Sequence, residues 1–375
     1  MVPTEVLANQ HFRNAQKLFE NFRQKPETVL ITGSMTAAEK REAYERVRTH
    51  QADIVIGTHA LIQEKLEFDN LCLVITDEQH RFGVRQRESL SKKGDSPHIL
   101  VMSATPIPRT LAVILYGDLD VSEIRTKPAG RLPVKNAVIT AKDRKKAYRH
   151  LAGEIARGHQ AYIICPLIEA VEDSDAENVL EYTEKIRTAF PEGTVIERIH
   201  GRMKESEKDC VMRRFSAGDI DILVSTTVIE VGVDVPNATV MMIENADRYG
   251  LAALHQLRGR VGRGNDQSYC IFVRTSDAAG AVKRLDVIGT SNDGFQIASE
   301  DLRLRGPGEI LGQAQSGQMK FETADIYGDS EILREAYDCT EYIETDAFRA
   351  DDMEMIRFFR HMEEYRDKTL NNLSI

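Results

Sequence analysis

Val74-Ile-Thr-Asp-Glu-Gln-His80 is an apolar, β-branched run that stops on two adjacent carboxylates. Residues of this kind suit the pleated, buried surface of a sheet, and ligands of open parallel sheets sit at the carboxyl ends of the strands. An aspartate there can hold Mg²⁺, directly or through water, while the next carboxylate can orient or deprotonate an attacking water. Asp77 and Glu78 fit those roles. A solvated strand end has the same composition, so the pair alone does not decide its chemistry.

Working outward, runs of the same kind recur between amphipathic stretches: Val29-Leu-Ile-Thr, Asp53-Ile-Val-Ile-Gly, Leu71-Cys-Leu-Val-Ile-Thr and His98-Ile-Leu-Val-Met-Ser. Strands alternating with helices predict a parallel α/β sheet. Lys127-Pro-Ala-Gly-Arg-Leu-Pro then punctuates the chain, and a linker is expected there. A second series follows, with strands expected at Ala161-Tyr-Ile-Ile-Cys, Val195-Ile-Glu-Arg-Ile-His, Asp221-Ile-Leu-Val-Ser, Val240-Met-Met-Ile-Glu and Tyr269-Cys-Ile-Phe-Val. The expected organisation is therefore a first α/β domain over 1–128, a second over 129–275, and a different, helical region over 276–375.

The 375 residues are enough for two or three domains, and 42% hydrophobic with 29% charged residues is a globular composition. No apolar run approaches the ~20 residues of a membrane helix, and Met-Val-Pro-Thr-Glu is not laid out as a signal peptide, so a cytoplasmic location without membrane partners is expected. Cys72, Cys165, Cys210, Cys270 and Cys339 are scattered without a C-x-x-C pair, as reduced structural thiols would be. A net charge of −10, taken over the whole chain, argues against a nucleic-acid partner. Residues 321–375 hold 15 acidic and 6 basic side chains, however, leaving 43 basic against 44 acidic elsewhere. The body is near neutral and can carry a local basic groove.

His255-Gln-Leu-Arg-Gly-Arg-Val-Gly-Arg-Gly264 sets three arginines among glycines. Glycine permits close backbone approach, and a planar guanidinium matches the charge spread over a transferring γ-phosphate. Arg260 and Arg263 are candidate arginine fingers, although a solvated basic turn reads the same way in isolation.

In order along the chain these pieces resemble the motor motifs of superfamily 2 helicases. Pro3-Thr-Glu-Val-Leu-Ala resembles motif Ia, Gly57-Thr-His-Ala the DNA-contacting motif after it, Asp77-Glu-Gln-His motif II and Ser103-Ala-Thr motif III. Ser225-Thr-Thr-Val-Ile-Glu-Val-Gly-Val-Asp-Val-Pro resembles motif V, and Gln256-Leu-Arg-Gly-Arg-Val-Gly-Arg motif VI. Longer strings are similar to the RecG-type branched-DNA helicases: Asp77-Glu-Gln-His-Arg-Phe-Gly-Val, Ser103-Ala-Thr-Pro-Ile-Pro-Arg-Thr-Leu-Ala and Gly117-Asp-Leu-Asp. Transcription-repair coupling factors share much of this. Gln79, Ile164-Cys-Pro-Leu-Ile-Glu169 and Asp301-Leu-Arg-Leu-Arg-Gly-Pro-Gly-Glu running on to Gln315-Ser-Gly lean towards the RecG type.

The resemblance implies two RecA-like domains closing on ATP and Mg²⁺, followed by a helical C-terminal region. It implies a catalytic set of Asp77, Glu78, Gln256, Arg260 and Arg263, with Asp77 on the metal through water and Gly232 and Asp234 lining the nucleotide. Ser103, Thr105, Arg303, Arg305 and Gln315 would couple nucleotide state to movement, and Thr4, Thr58 and Thr226 would grip DNA phosphates without reading sequence. Branched or forked DNA is the implied partner.

One element of the family pattern is missing from these 375 residues: no G-x-x-x-x-G-K-[ST] loop occurs. The first domain is therefore expected to be truncated at its N-terminus, with an unpaired sheet edge, and the chain to turn over little ATP without the N-terminal portion of the same helicase. A non-catalytic DNA-binding remnant and a portion of a coupling-factor translocase are the alternatives.

Overall fold

The computed structural model describes residues 1–78, 81–104, 120–126, 128, 130–167, 177–227, 235–305, 332, 335–336, 339 and 353–370. The chain divides into two compact units, Met1–Thr105 with Pro128–Asn292, and Pro106–Lys127 with Asp293–Ile375.

The first part of the larger unit holds α1 (Glu5–Phe19), β1 (Thr28–Ile31), α2 (Ala37–Arg48), β2 (Ile54–Gly57), β3 (Leu73–Thr76), α3 (Val84–Ser91) and β4 (His98–Val101). Local signals set the helix starts. Thr36 and Glu39 form a reciprocal capping box at α2, satisfying two amides that the first turn leaves free. The strands form two parallel pairs, β1 with β2 and β3 with β4. Met1 and Val2 lie between the pairs: Val2 N donates to Gly57 O at 2.9 Å, Met1 N to Ile75 O at 2.7 Å, and Asp77 N to Met1 O at 3.0 Å. Val29, Ile31, Val47, Leu61, Val74 and Leu90 pack in one core that includes Met1.

The second part is one six-stranded parallel sheet. Its strands are β5 (Lys135–Thr140), β6 (Gln160–Ile164), β7 (Ile196–Ile199), β8 (Ile222–Ser225), β9 (Ala238–Ile243) and β10 (Tyr269–Arg274), in the order β5-β10-β9-β6-β8-β7. The helices α4 (Arg144–Ala156), α5 (Val179–Arg187), α6 (Glu205–Ala217), α7 (Leu251–Arg258) and α8 (Ala279–Thr290) follow or precede these strands. Every residue of β6, β8 and β9 is buried, as central strands covered on both faces require. Gln160, the one polar residue of β6, donates to Phe215 O and Ile220 O at 2.7 Å each, which meets its burial cost.

All nine expected strands are present, together with one that the sequence reading missed. Lys135-Asn-Ala-Val-Ile-Thr forms the edge strand β5, directly after the expected linker; it alternates weakly because its outer edge and much of one face meet solvent. The smaller unit contains α9 (Gly294–Arg305) and α10 (Met353–Leu370), and Arg125 stacks over the Phe295 ring at 4.9 Å. Among the described residues no helix is long and apolar enough to cross a membrane, and all five cysteines are free.

Candidate functional site

Asp77 and Glu78 follow directly on β3, where the ladder ends. Glu78 has φ of 50°, a left-handed conformation uncommon for a residue with a Cβ, and its amide donates to Asp77 Oδ1 at 2.9 Å. His11 on α1 brings Nε2 to 3.4 Å from Asp77 Oδ2. The His11 imidazole beside it and the Glu78 amide hold the Asp77 carboxyl below its usual range, against the opposing effect of burial. Asp77 is thus an ionised acceptor at neutral pH.

His11 escaped the sequence reading. The available signal was its place seven residues after Thr4, two turns along the same helix face. Thr4 itself caps α1, its Oγ1 accepting from Leu7 N at 3.4 Å. Thr58 is buried, with no hydrogen-bond partner for its hydroxyl among the described residues, and its amide donates to Ile31 O. Gly57 before it admits no side chain, because a Cβ would lie 2.2 Å from Ile31 O. Through the hydrogen bonds of Met1 and Val2, the segments bearing Thr4, Thr58 and Asp77 converge at one end of the strands. Ser103, exposed, follows β4 two residues on.

In the second part, Gln256 lies on α7 and Arg260 and Arg263 lie in the turn after it. Gly262 between the arginines has φ of +76°, where a side chain would be strained, and its Cβ would meet Val134 Cγ2 at 2.9 Å. Arg263 Nε donates to Gly259 O at 3.1 Å, and Arg260 is largely buried. Arg258, the first arginine of the run, does different work. Its Nη1 donates to Ile288 O at 3.0 Å and Ser291 O at 2.6 Å, and its Nη2 lies 2.8 Å from His255 Nδ1. A cation so placed closes the C-terminal end of α8, where helix carbonyls lack partners.

A buried network positions the approach to α7. Glu244, directly after β9, has a fully buried carboxylate that accepts from Arg144 Nη2 at 2.7 Å, from Arg144 Nε at 3.1 Å and from Tyr182 OH at 2.7 Å. Burial pushes the Glu244 carboxyl up, and Arg144 partly offsets this. Asn245 adopts φ of 47°, its Oδ1 accepting from Glu177 N at 2.9 Å, and Asp247 Oδ1 accepts from Thr275 N at 2.7 Å. The turn that launches α7 is therefore fixed on three sides. Sequence reading missed this set because Glu244 looked like one more polar strand end.

Thr226 is buried just beyond β8, its carbonyl accepting from Ser225 Oγ at 2.8 Å. Arg303 on α9 pairs with Glu300 at 2.9 Å, and Arg305 closes that helix. Thr105, Gly232, Asp234 and Gln315 lie outside the described residues. No group of three or more metal-ligating side chains occurs among the described residues. Asp77, ionised and partly open at a strand end, is nonetheless suited to a cation held through water.

Parallel sheets thus carry a carboxylate pair directly after β3 and an arginine-bearing turn directly after α7. Three family models match in order: DEAD/DEAH box helicase over residues 1–114, helicase conserved C-terminal domain over 143–265, and ATP-dependent DNA helicase RecG, domain 3, C-terminal, over 291–375. Together these matches make the chain similar, over most of its length, to the C-terminal portion of RecG-type helicases. It is 49% identical over 363 residues to the ATP-dependent DNA helicase RecG of Streptococcus pneumoniae, covering 97% of this chain and 54% of that protein. It is 51% identical over 345 residues to that of Synechocystis, covering 91% and 41%. The chain thus spans about half the length of the curated relatives it matches. A solved structure of RecG bound to a three-way DNA junction aligns with a TM-score of 0.72 at 45% identity, over 89% of this chain and 43% of that one. S. cerevisiae Dbp5 bound to RNA and ADP BeF3 aligns at 0.54 with 16% identity, over 90% and 80%, which concerns the fold alone.

Proposed function

We propose that this chain forms the greater part of the motor of an ATP-dependent helicase that remodels branched or forked DNA in the cytoplasm, and that it needs the upstream polypeptide to turn over ATP. In this reading residues 1–128 and 129–275 are the two motor domains, and 276–375 carry movement to the duplex. Asp77 holds Mg²⁺ through water and Glu78 orients the attacking water. Arg260 and Arg263 answer the γ-phosphate from the second domain with Gln256 beside them, and Gly232 and Asp234 line the nucleotide. Ser103, Thr105, Arg303, Arg305 and Gln315 couple the two events. Thr58 and Thr226 face phosphates at the strand ends, and Thr4 acts through the cap of α1.

The observation that carries this reading is Asp77, held ionised beside His11 directly after β3, with Glu78 next to it in a left-handed turn. The junction-bound RecG structure supports the choice of branched DNA. The test is ATP turnover by a version extended with the upstream polypeptide, measured with a synthetic fork, and its loss in Asp77→Asn, Glu78→Gln and Arg263→Ala. Undiminished turnover in all three variants would reject these assignments.

A further inference from the structure

Residues 131–150 hold seven lysines and arginines against one aspartate, in a chain that has 49 basic and 59 acidic side chains in all. The fold gathers these cations on one side of the second sheet. Lys135 opens β5, Lys142 lies in the turn before α4, and Lys145, Lys146 and Arg149 are exposed on α4 itself. Asp143 is the one acid in the stretch, and it pairs with Lys146 at 2.8 Å. Among the described residues Lys135, Lys142, Lys145 and Arg149 form no ion pair. Lys145 and Arg149 stand four residues apart on the helix, a like-charge spacing that costs stability unless an anion lies across it.

Beside these cations the sheet is open. In the parallel register of β5 and β10, Tyr269 lies opposite Lys135 and Ile271 opposite Ala137. Side chains alternate along a strand, so these four and Ile139 share one face. α4 packs over β6 and β9, and Ala137 is too small to fill what remains over the outer two strands. The result is a pocket of about 480 Å³, lined by Ile139, Tyr269 and Ile271 from the sheet and by Lys146 and His150 from α4, with Lys135 beside them. The His150 and Tyr269 rings meet at 80° with 4.4 Å between centroids, and Lys135 Nζ lies 5.9 Å from the Tyr269 centroid.

Aromatic rings set among cations are how proteins hold single strands without reading sequence: the cations take phosphates and the rings stack bases. Lys142, Lys145 and Arg149 recur at three- and four-residue steps, a rise of about 5 Å each, which makes a row of positive charge rather than a point. A base inside a duplex is stacked and paired, so only an unpaired base can present its face to Tyr269. A carboxylate-rich peptide would answer the lysines without using the rings.

We propose that α4 and the outer edge of β5 form a further nucleic-acid site, at which the phosphates of a single DNA strand run along Lys142, Lys145 and Arg149 and an unpaired base enters the pocket against Tyr269 and His150. None of these residues lies in the helicase-like motifs. The site rests on the reading of the chain as a branched-DNA helicase, whose substrates expose unpaired strand.

The test uses the full 375-residue chain and a fluorescein-labelled oligothymidylate of about twelve nucleotides. Saturable anisotropy is expected, with hydrogen-exchange protection in peptides covering Lys135–Thr140 and Lys142–His150. Lys142→Gln, Lys145→Gln and Arg149→Gln combined are expected to reduce the slope of log affinity against log salt by about 2, at ~0.7 per phosphate of a single strand. Tyr269→Leu keeps the pocket apolar but removes the ring. It is expected to weaken the oligonucleotide about tenfold and a blunt duplex hardly at all, while Tyr269→Phe binds as the parent does. Absence of binding, an unchanged salt slope, leucine as good as phenylalanine, or an equal loss on duplex overturns the site. Competition by oligoglutamate of the same charge, as strong as that by unlabelled oligothymidylate, overturns it in favour of an acidic peptide. If the site fails in these ways while the chain joined to the upstream polypeptide shows fork-stimulated ATP turnover, this site alone is rejected. If the joined protein is silent too, the helicase reading falls with it.

Discussion

Arg144→Met removes the cation facing a carboxylate that has no solvent of its own. Glu244 is fully buried and Arg144 supplies two of its three donor groups, leaving only Tyr182 OH after the substitution. Stranding a buried charge in this way costs about 3–5 kcal/mol. The Arg144 side chain is 20% exposed, so water reaches part of the vacated space, and the lower figure, about 3 kcal/mol, is expected. Through local opening this corresponds to about a hundredfold faster amide exchange in β6 and β9, which flank the network. The assay is hydrogen exchange read by mass spectrometry on peptides from those strands, with α3 as the internal reference. A double variant, Arg144→Met with Glu244→Leu, removes both charges and should regain most of the lost protection. Exchange within about twofold of the parent in the single variant, or a double variant no better than the single, would refute the reasoning.

Gly57→Ala forces a Cβ to 2.2 Å from Ile31 O and should destabilise the first core by about 2 kcal/mol, seen as a lower denaturation midpoint. For Asp77 the sign is that of a carboxyl with a depressed pKa: its contribution to stability is present above the ordinary carboxylate range and disappears as pH falls through the depressed value. Asp77→Asn should therefore lower stability in the neutral region and flatten the acid limb of a stability–pH profile, the two profiles converging at low pH. Thr4→Ala removes the α1 cap and should cost about 1 kcal/mol; a direct role in DNA binding would instead appear as weaker fork affinity at unchanged stability.

Much of the architecture was legible because the physics is local and repetitive. Runs such as Ala161-Tyr-Ile-Ile and Ile222-Leu-Val have no charged residue to spare for a surface, as strands covered on both faces require. Lys135-Asn-Ala-Val-Ile-Thr was hidden because an edge strand keeps polar and apolar residues on both faces. At the site, Asp77 and Glu78 were found from their position after β3, whereas His11 and the Arg144–Glu244–Tyr182 network depend on pairs 66, 100 and 62 residues apart. No spacing rule brings such partners together. Arg258 shows the converse: in the sequence it is indistinguishable from its neighbours in an arginine-rich run, and only the carbonyls of Ile288 and Ser291 reveal it as a helix clamp.

The most direct test of the account is ATP hydrolysis by the 375-residue chain, with and without a synthetic replication fork, alone and joined to the upstream polypeptide of a RecG-type helicase. The account predicts background turnover from the chain alone and fork-stimulated turnover from the joined protein. Robust, fork-stimulated hydrolysis by the 375 residues alone would contradict it, because the phosphates would then be held by residues to which no such role has been assigned.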